Sequence, residues 1–181
     1  VLESLVSLIY LLGIPVSTIS LVLVKKVSEY KGSFQQGAIG KLFQKSSETL
    51  LVYSLVGFLL FLLLSPLVNS FLNLKTIWSL VLVDLIAFVA VFVGINRSFL
   101  QGALKFKDLS LSLVAEAIGK PTLGVIFVIL GFGVNGAIGA ILLTVLLGYF
   151  LSKHFLKKEI KIIDLKVNLG RRDLLKYSIP V

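Results

Sequence analysis

The sequence predicts an all-α, polytopic membrane helix bundle, and three observations carry that reading. Hydrophobic residues make up 57% of the chain and charged ones 15%, with a mean hydropathy of +1.02. Charged residues in soluble domains run near a quarter, so this chain has too little polar surface to cover a soluble core. Five apolar runs approach or exceed the length that a helix needs to cross a ~30 Å hydrocarbon layer. Sixteen of the eighteen Lys and Arg residues fall in three short stretches that alternate with those runs. The runs are continuous rather than alternating, which argues against the strands of a membrane barrel.

Span one covers about 4–24. Gly13-Ile14-Pro15 lies near its middle, with Ser17, Thr18 and Ser20 behind it. Proline removes a backbone hydrogen bond and loosens a helix. The break reads either as a packing kink or as a hinge, with Gly13 and Pro15 the hinge candidates. The connection 25–48 is long and sets Val27, Tyr30, Phe34, Ile39, Leu42 and Phe43 among lysines. It predicts a basic amphipathic helix lying at the interface. Span two covers about 50–68 and carries no charge. Residues 69–75 form a short connection with one cation, Lys75.

Span three covers about 76–96, with Trp78 as an interface anchor and Asp84 inside the apolar run. Arg97, Lys105 and Lys107 follow as the second basic stretch. Span four, about 109–130, holds Glu116 and Lys120. It repeats the loosening chemistry at Gly119, Pro121 and Gly124, making Gly119 and Pro121 hinge candidates as well. Gly131-Phe132-Gly133-Val134-Asn135-Gly136 matches the letters of a dinucleotide fingerprint. That fingerprint needs a soluble βαβ unit and a later acidic residue, whereas both flanks here are span-like. A tight hairpin explains it better, with Gly136 and Ala140 offering a small-xxx-small surface to a neighbouring helix. Span five covers about 137–151. Tyr149, Phe150 and His154 extend it to the interface. The final connection, 153–176, carries the third basic stretch and reads as a linker or a surface-lying helix.

The connections sort by charge. Those after spans one, three and five are basic and therefore cytoplasmic by the positive-inside rule; the other two carry one lysine or none. The start of the chain is then outside, and parity asks for one further helix upstream. The sequence contains no methionine, so residue 1 reads as other than a native start and the chain as a fragment cut at both ends. The absence of cysteine excludes disulfides, thiolate catalysis and cysteine-based metal sites. A net charge of +9 raises nucleic-acid binding. The cations flank spans instead of forming a patch on a soluble face, so membrane lipids with anionic headgroups are the better partners and nucleic acid is rejected.

The intramembrane charges are the strongest functional signal. Each costs about 2.5–3.5 kcal/mol at the centre of an isolated helix, so Asp84, Glu116 and Lys120 are not carried casually. At ~1.5 Å per residue, Asp84 lies ~18 Å from the cytoplasmic face and Lys120 ~16 Å from it, on consecutive antiparallel helices. Glu116 is one turn from Lys120 at i,i+4 spacing and can share its charge. The group reads either as a structural ion pair locking the helices or as a polar cavity for an anionic or sugar-bearing substrate, or a proton site.

The residues at the end of span three, Asn96-Arg97-Ser98-Phe99-Leu100-Gln101-Gly102-Ala103-Leu104-Lys105-Phe106-Lys107, resemble the fourth helix end and following loop of polysaccharide-biosynthesis flippases. The continuation through Glu116, Gly119-Lys120 and the turn at Gly131, Gly133 and Gly136 is similar to the next helix of that family. Gly13-Ile14-Pro15 followed by Val27-Ser28-Glu29-Tyr30-Lys31-Gly32 resembles the family's second helix and its loop. Lys176-Tyr177-Ser178-Ile179-Pro180 is similar to the start of its seventh. These are the oligosaccharide (O-antigen-type) flippases of the multidrug/oligosaccharidyl-lipid/polysaccharide exporter superfamily.

The resemblance implies two six-helix lobes that move a lipid-linked oligosaccharide by alternating access. Residues 1–152 would then supply five helices of an N-terminal lobe, 153–172 a cytoplasmic linker and 173–181 the opening of a second lobe. Lys120, with Arg97, would attract the carrier's phosphate or pyrophosphate. Asp84 and Glu116 would neutralise the cation or exchange a proton, and Asn96 and Gln101 complete the candidate cavity set. No cofactor, metal or catalytic residue is expected, only a coupling ion, H⁺ or Na⁺, with glycan-assembly enzymes as partners. A drug or metabolite exporter of the same superfamily is the first alternative and predicts a cavity richer in aromatics and acids. A membrane-embedded enzyme of lipid-carrier glycan assembly is another, but none of the basic loops has the Asp-rich or His-containing pattern it needs.

Overall fold

A computed structural model describes residues 2–33, 37–72 and 77–177, with side chains through residue 157. Lys75 and Thr76, the first residue of the expected third span, lie outside the described residues, as do Phe34 and residues 178–181 of the expected second-lobe opening. The described chain forms five helices and no strand: α1 (Leu2–Gly32), α2 (Gly37–Leu72), α3 (Trp78–Gly102), α4 (Phe106–Ile129) and α5 (Gly133–Tyr177). Each is long and apolar enough to cross a membrane, in α5 over Gly133–Lys157. A helix meets its backbone hydrogen bonds within the segment, which hydrocarbon demands of any single spanning element.

The first connection departs from expectation. No separate surface helix fills 25–48; α1 continues to Gly32 and α2 already begins at Gly37. Val27 and Ile39 are buried, and Tyr30, Leu42 and Phe43 are half-buried. They pack with Phe99, Leu100 and Leu156 in one core cluster, and Phe43 meets the Phe99 ring edge-on at 5.2 Å. Burial against α3 and α5 gives the apolar side chains of this stretch a packed setting within the bundle. Lys31 Nζ donates to the Ala103 carbonyl at the end of α3, tying the first basic stretch to the second. A second cluster, with Leu5, Leu80, Val83 and Ile138, fills the opposite end.

Two turns use the same stop. Leu104 and Gly131 adopt left-handed φ, 58° and 88°. In each, the next amide donates back to a carbonyl five residues earlier: Lys105 to Leu100 at 2.9 Å and Phe132 to Phe127 at 3.1 Å. This is the Schellman termination, for which glycine is the favoured residue. The expected hairpin after span four is present, and Gly136 sits where a Cβ would lie 3.1 Å from that of Phe127.

Small residues set the helix separations, as they do where lipid tails offer no hydrophobic drive to association. Gly94 and Gly102 of α3 face α1; a Cβ at Gly102 would lie 2.6 Å from Val27 Cβ. On α5, Ala140, Thr144, Gly148 and Ser152 recur every fourth position and are all buried. α3 packs against α1, α2 and α5, whereas α4 rests chiefly on α5.

Candidate functional site

The charges inside the bundle divide into two places. On one side of α3, Arg97 Nη2 donates to Glu116 Oε2 of α4 at 2.7 Å, and Lys120 Nζ lies 2.6 Å from Glu116 Oε1. Glu116 therefore bridges two cations. The i,i+4 spacing on α4 produces one link; α3 supplies the other. The Arg97 fork also donates to the Ser112 hydroxyl at 3.0 and 3.2 Å and to its carbonyl at 3.1 Å. Side-chain exposure is 17% for Arg97, 12% for Glu116 and 43% for Lys120. The group carries a formal charge of +1 and presents it at Lys120.

The sequence places Arg97 just past the third span, both as a cation of the second basic stretch and as a cavity candidate beside Lys120. It is instead part of α3, which continues to Gly102, and it is paired with Glu116. The apolar run ends at Asn96, but a neutralised and hydrogen-bonded guanidinium does not end the helix.

α5 makes room for this contact. A Cβ at Gly148 would lie 2.9 Å from Arg97 Nη2 and 3.1 Å from Glu116 Oε2. One turn away, a Cβ at Gly119 would lie 2.7 Å from Thr144 Cγ2, so Gly119 is a close-packing position between α4 and α5. Asn96 Nδ2 donates to the Ser152 hydroxyl at 3.3 Å in the buried α3–α5 contact. Sequence reasoning did not single out Ser112, Thr144, Gly148 or Ser152. For the three on α5 the signal is the four-residue repeat of small residues that begins at Gly136 and Ala140; Ser112, on α4, carries none.

Asp84 stands apart from this cluster. It is 3% exposed, and its Oδ2 is buried without a hydrogen-bond partner among the described residues. It lines a cavity of about 220 Å³ between α1, α2 and α3, together with Pro15, Tyr53, Phe58, Phe61 and Phe88. Lys120, Glu116 and Arg97 do not line that cavity. The separation follows from the helix itself: Asp84 and Arg97 are 13 residues apart, which at ~100° per residue puts them roughly 140° apart around α3. Gln101 is exposed near the end of α3 and joins neither group.

α1 runs helically through Gly13 and Pro15, and α4 through Pro121. Pro15 cannot donate to the Leu11 carbonyl, while the Ser17 and Thr18 hydroxyls both donate to the Ile14 carbonyl, at 2.8 and 3.2 Å. Trp78 is exposed at the start of α3, and His154 is exposed on α5 beside Phe155. Among the described residues, no group of three His, Cys, Asp or Glu side chains could hold a metal ion.

The described residues thus form five helices long and apolar enough to cross a membrane, the mark of a membrane-embedded protein, with a net-cationic ion cluster between them. The chain matches no protein-family model, no curated protein and no solved structure.

Proposed function

We propose that the chain belongs to a membrane flippase or exporter that moves a lipid-linked oligosaccharide by alternating access, and that it is not an enzyme. The observation that carries this reading is the Arg97–Glu116–Lys120 cluster, which keeps a charge of +1 within span-length helices and leaves Lys120 the most accessible member. A retained cation is costly in a membrane unless it serves a structural pairing or meets an anion, and Glu116 balances only one of the two. A phosphate or pyrophosphate on a carrier lipid supplies the missing negative charge.

On this reading the basic end of the bundle is cytoplasmic, 153–172 links two lobes, and 173–181 opens the second. Asp84 takes up the coupling ion, H⁺ or Na⁺. Bending at Gly13 and Pro15 accompanies exchange, and Gly119 and Pro121 let α4 slide on α5. Glycan-assembly enzymes are the natural partners. Lys120→Ala in the full transporter should abolish glycan export while leaving membrane insertion intact. Normal export by that variant would end the reading.

One observation favours a second reading, an exporter of small organic cations. The cavity at Asp84 is aromatic and acidic, the chemistry that suits a hydrophobic cation. Efflux of a cationic dye that depends on Asp84 and is indifferent to Lys120 would select it over the flippase.

A further inference from the structure

A second opening lies between α1 and α2 at the basic end of the bundle. It has a volume of about 560 Å³, and Lys26 of α1 faces it together with Lys41 and Lys45 of α2. No carboxylate lines it; Ser46 and Thr49 add hydroxyls beside the lysines. The neighbouring cations have partners, Lys25 with Glu29 at 4.0 Å and Lys31 with the Ala103 carbonyl. Lys26, Lys41 and Lys45 have none among the described residues. Lys41 and Lys45 are also an i,i+4 like-charge pair, an arrangement that destabilises a helix by itself. Three unpaired ammonium groups around one opening, with hydroxyl donors between them, are complementary to a phosphate.

The opening does not stop at the charged rim. Its apolar wall includes Ile19 and Leu50, and both residues also line the deeper cavity that reaches Phe58. From Thr49 to Phe58 the groove descends ~14 Å along α2, close to the ~15 Å of hydrocarbon in one leaflet. A free anion would need only the rim. A long polyisoprenoid would overrun the groove.

We infer that this groove seats an anionic glycerophospholipid from the surrounding leaflet, its phosphate among Lys26, Lys41 and Lys45 and one acyl chain lying along Ile19 and Leu50 between α1 and α2. The inference rests on the groove and does not depend on the glycan reading; a cationic drug held at Asp84 would compete with the acyl chain for the deeper cavity. Near a membrane surface each lysine contributes roughly fivefold to binding of an anionic lipid, so three give a preference on the order of a hundredfold over a zwitterionic lipid.

The test uses the full chain purified from membranes and reconstituted in nanodiscs containing equal phosphatidylglycerol and phosphatidylcholine. Lipid retained after detergent transfer is read by native mass spectrometry. The parent should retain one phosphatidylglycerol. Lys41→Gln with Lys45→Gln should lower its retention roughly 25-fold, two lysines' worth. Lys153→Gln with Lys157→Gln, at the same end but outside the groove, should leave it unchanged. Ile19→Trp, which blocks the chain slot without altering charge, should also reduce retention. Lys41→Arg with Lys45→Arg should preserve it, and this charge-conserving pair separates a binding defect from a folding defect. Equal losses from the two lysine pairs would mean diffuse surface charge and overturn the site. So would retention of phosphatidylcholine to the same degree, indifference to Ile19→Trp, or full displacement by millimolar inorganic phosphate.

Discussion

Glu116 is the residue on which the interior electrostatics turn, and Glu116→Gln tests that directly. The amide keeps the shape of the side chain but removes its charge, so two cations remain where there was a bridged trio. Glu116 is 12% exposed and holds Arg97 at 2.7 Å and Lys120 at 2.6 Å. Removing one partner of a buried ion pair costs about 3–5 kcal/mol. Arg97 keeps its bonds to the Ser112 hydroxyl and carbonyl, which places the expected loss at the lower end, about 3 kcal/mol. Lys120→Met acts in the opposite sense. It leaves the Arg97–Glu116 pair neutral and should cost less than about 1 kcal/mol. Combining the two changes leaves one cation instead of two and should recover part of the Glu116→Gln loss, a coupling that a double-mutant cycle reads. The assay is reversible unfolding of the purified chain in mixed micelles, titrated with dodecyl sulfate. Equal losses for Glu116→Gln and Lys120→Met, or no coupling between them, would refute the bridged arrangement.

Three further changes probe the packing and the isolated carboxyl. Gly102→Val drives a side chain into Val27 and the Val24 carbonyl; overpacking of this kind costs about 1–3 kcal/mol and should raise hydrogen exchange at the end of α1. Leu104→Gly relieves an exposed left-handed residue and should raise stability by about 1 kcal/mol, read in the same micelle titration. Asp84→Leu removes a buried oxygen that has no partner and should stabilise the bundle by about 1–3 kcal/mol, since an unsatisfied buried group carries its full desolvation cost. A loss of stability in that variant would show that the carboxyl has a structural partner.

The helices were legible because continuous apolar runs of span length have few other solutions. Their ends were not, since Lys25–Lys31 and the stretch from Gly37 to Glu48 are compatible with helix. Only the tertiary burial of Val27, Ile39 and Phe43 decides that they continue one. Within the site, the Glu116–Lys120 link follows from spacing alone. The third member does not: Arg97 sits beside the end of an apolar run, and a loop position is the simpler reading of a charge there. Counting residues along the spans puts Asp84 and Lys120 at comparable levels but says nothing of direction. The rotation around α3 sends Asp84 toward α1 and α2 and Arg97 toward α4. Gly148 was invisible because the meaning of a glycine depends on which side chains approach it.

The run of small residues on α5 has a consequence for how the helices can shift. Residues four apart overshoot a full turn by ~40°, so a line drawn from Gly136 to Ser152 winds roughly 160° around the helix. It meets Phe127 at the far end of α4, then Gly119, then the Arg97–Glu116 link, and finally Asn96 of α3. The line thus crosses from one neighbour to the other, with Gly148 at the crossing. A screw-like turn of α5 would move its contacts with α3 and α4 together, and the salt link is the point that both share.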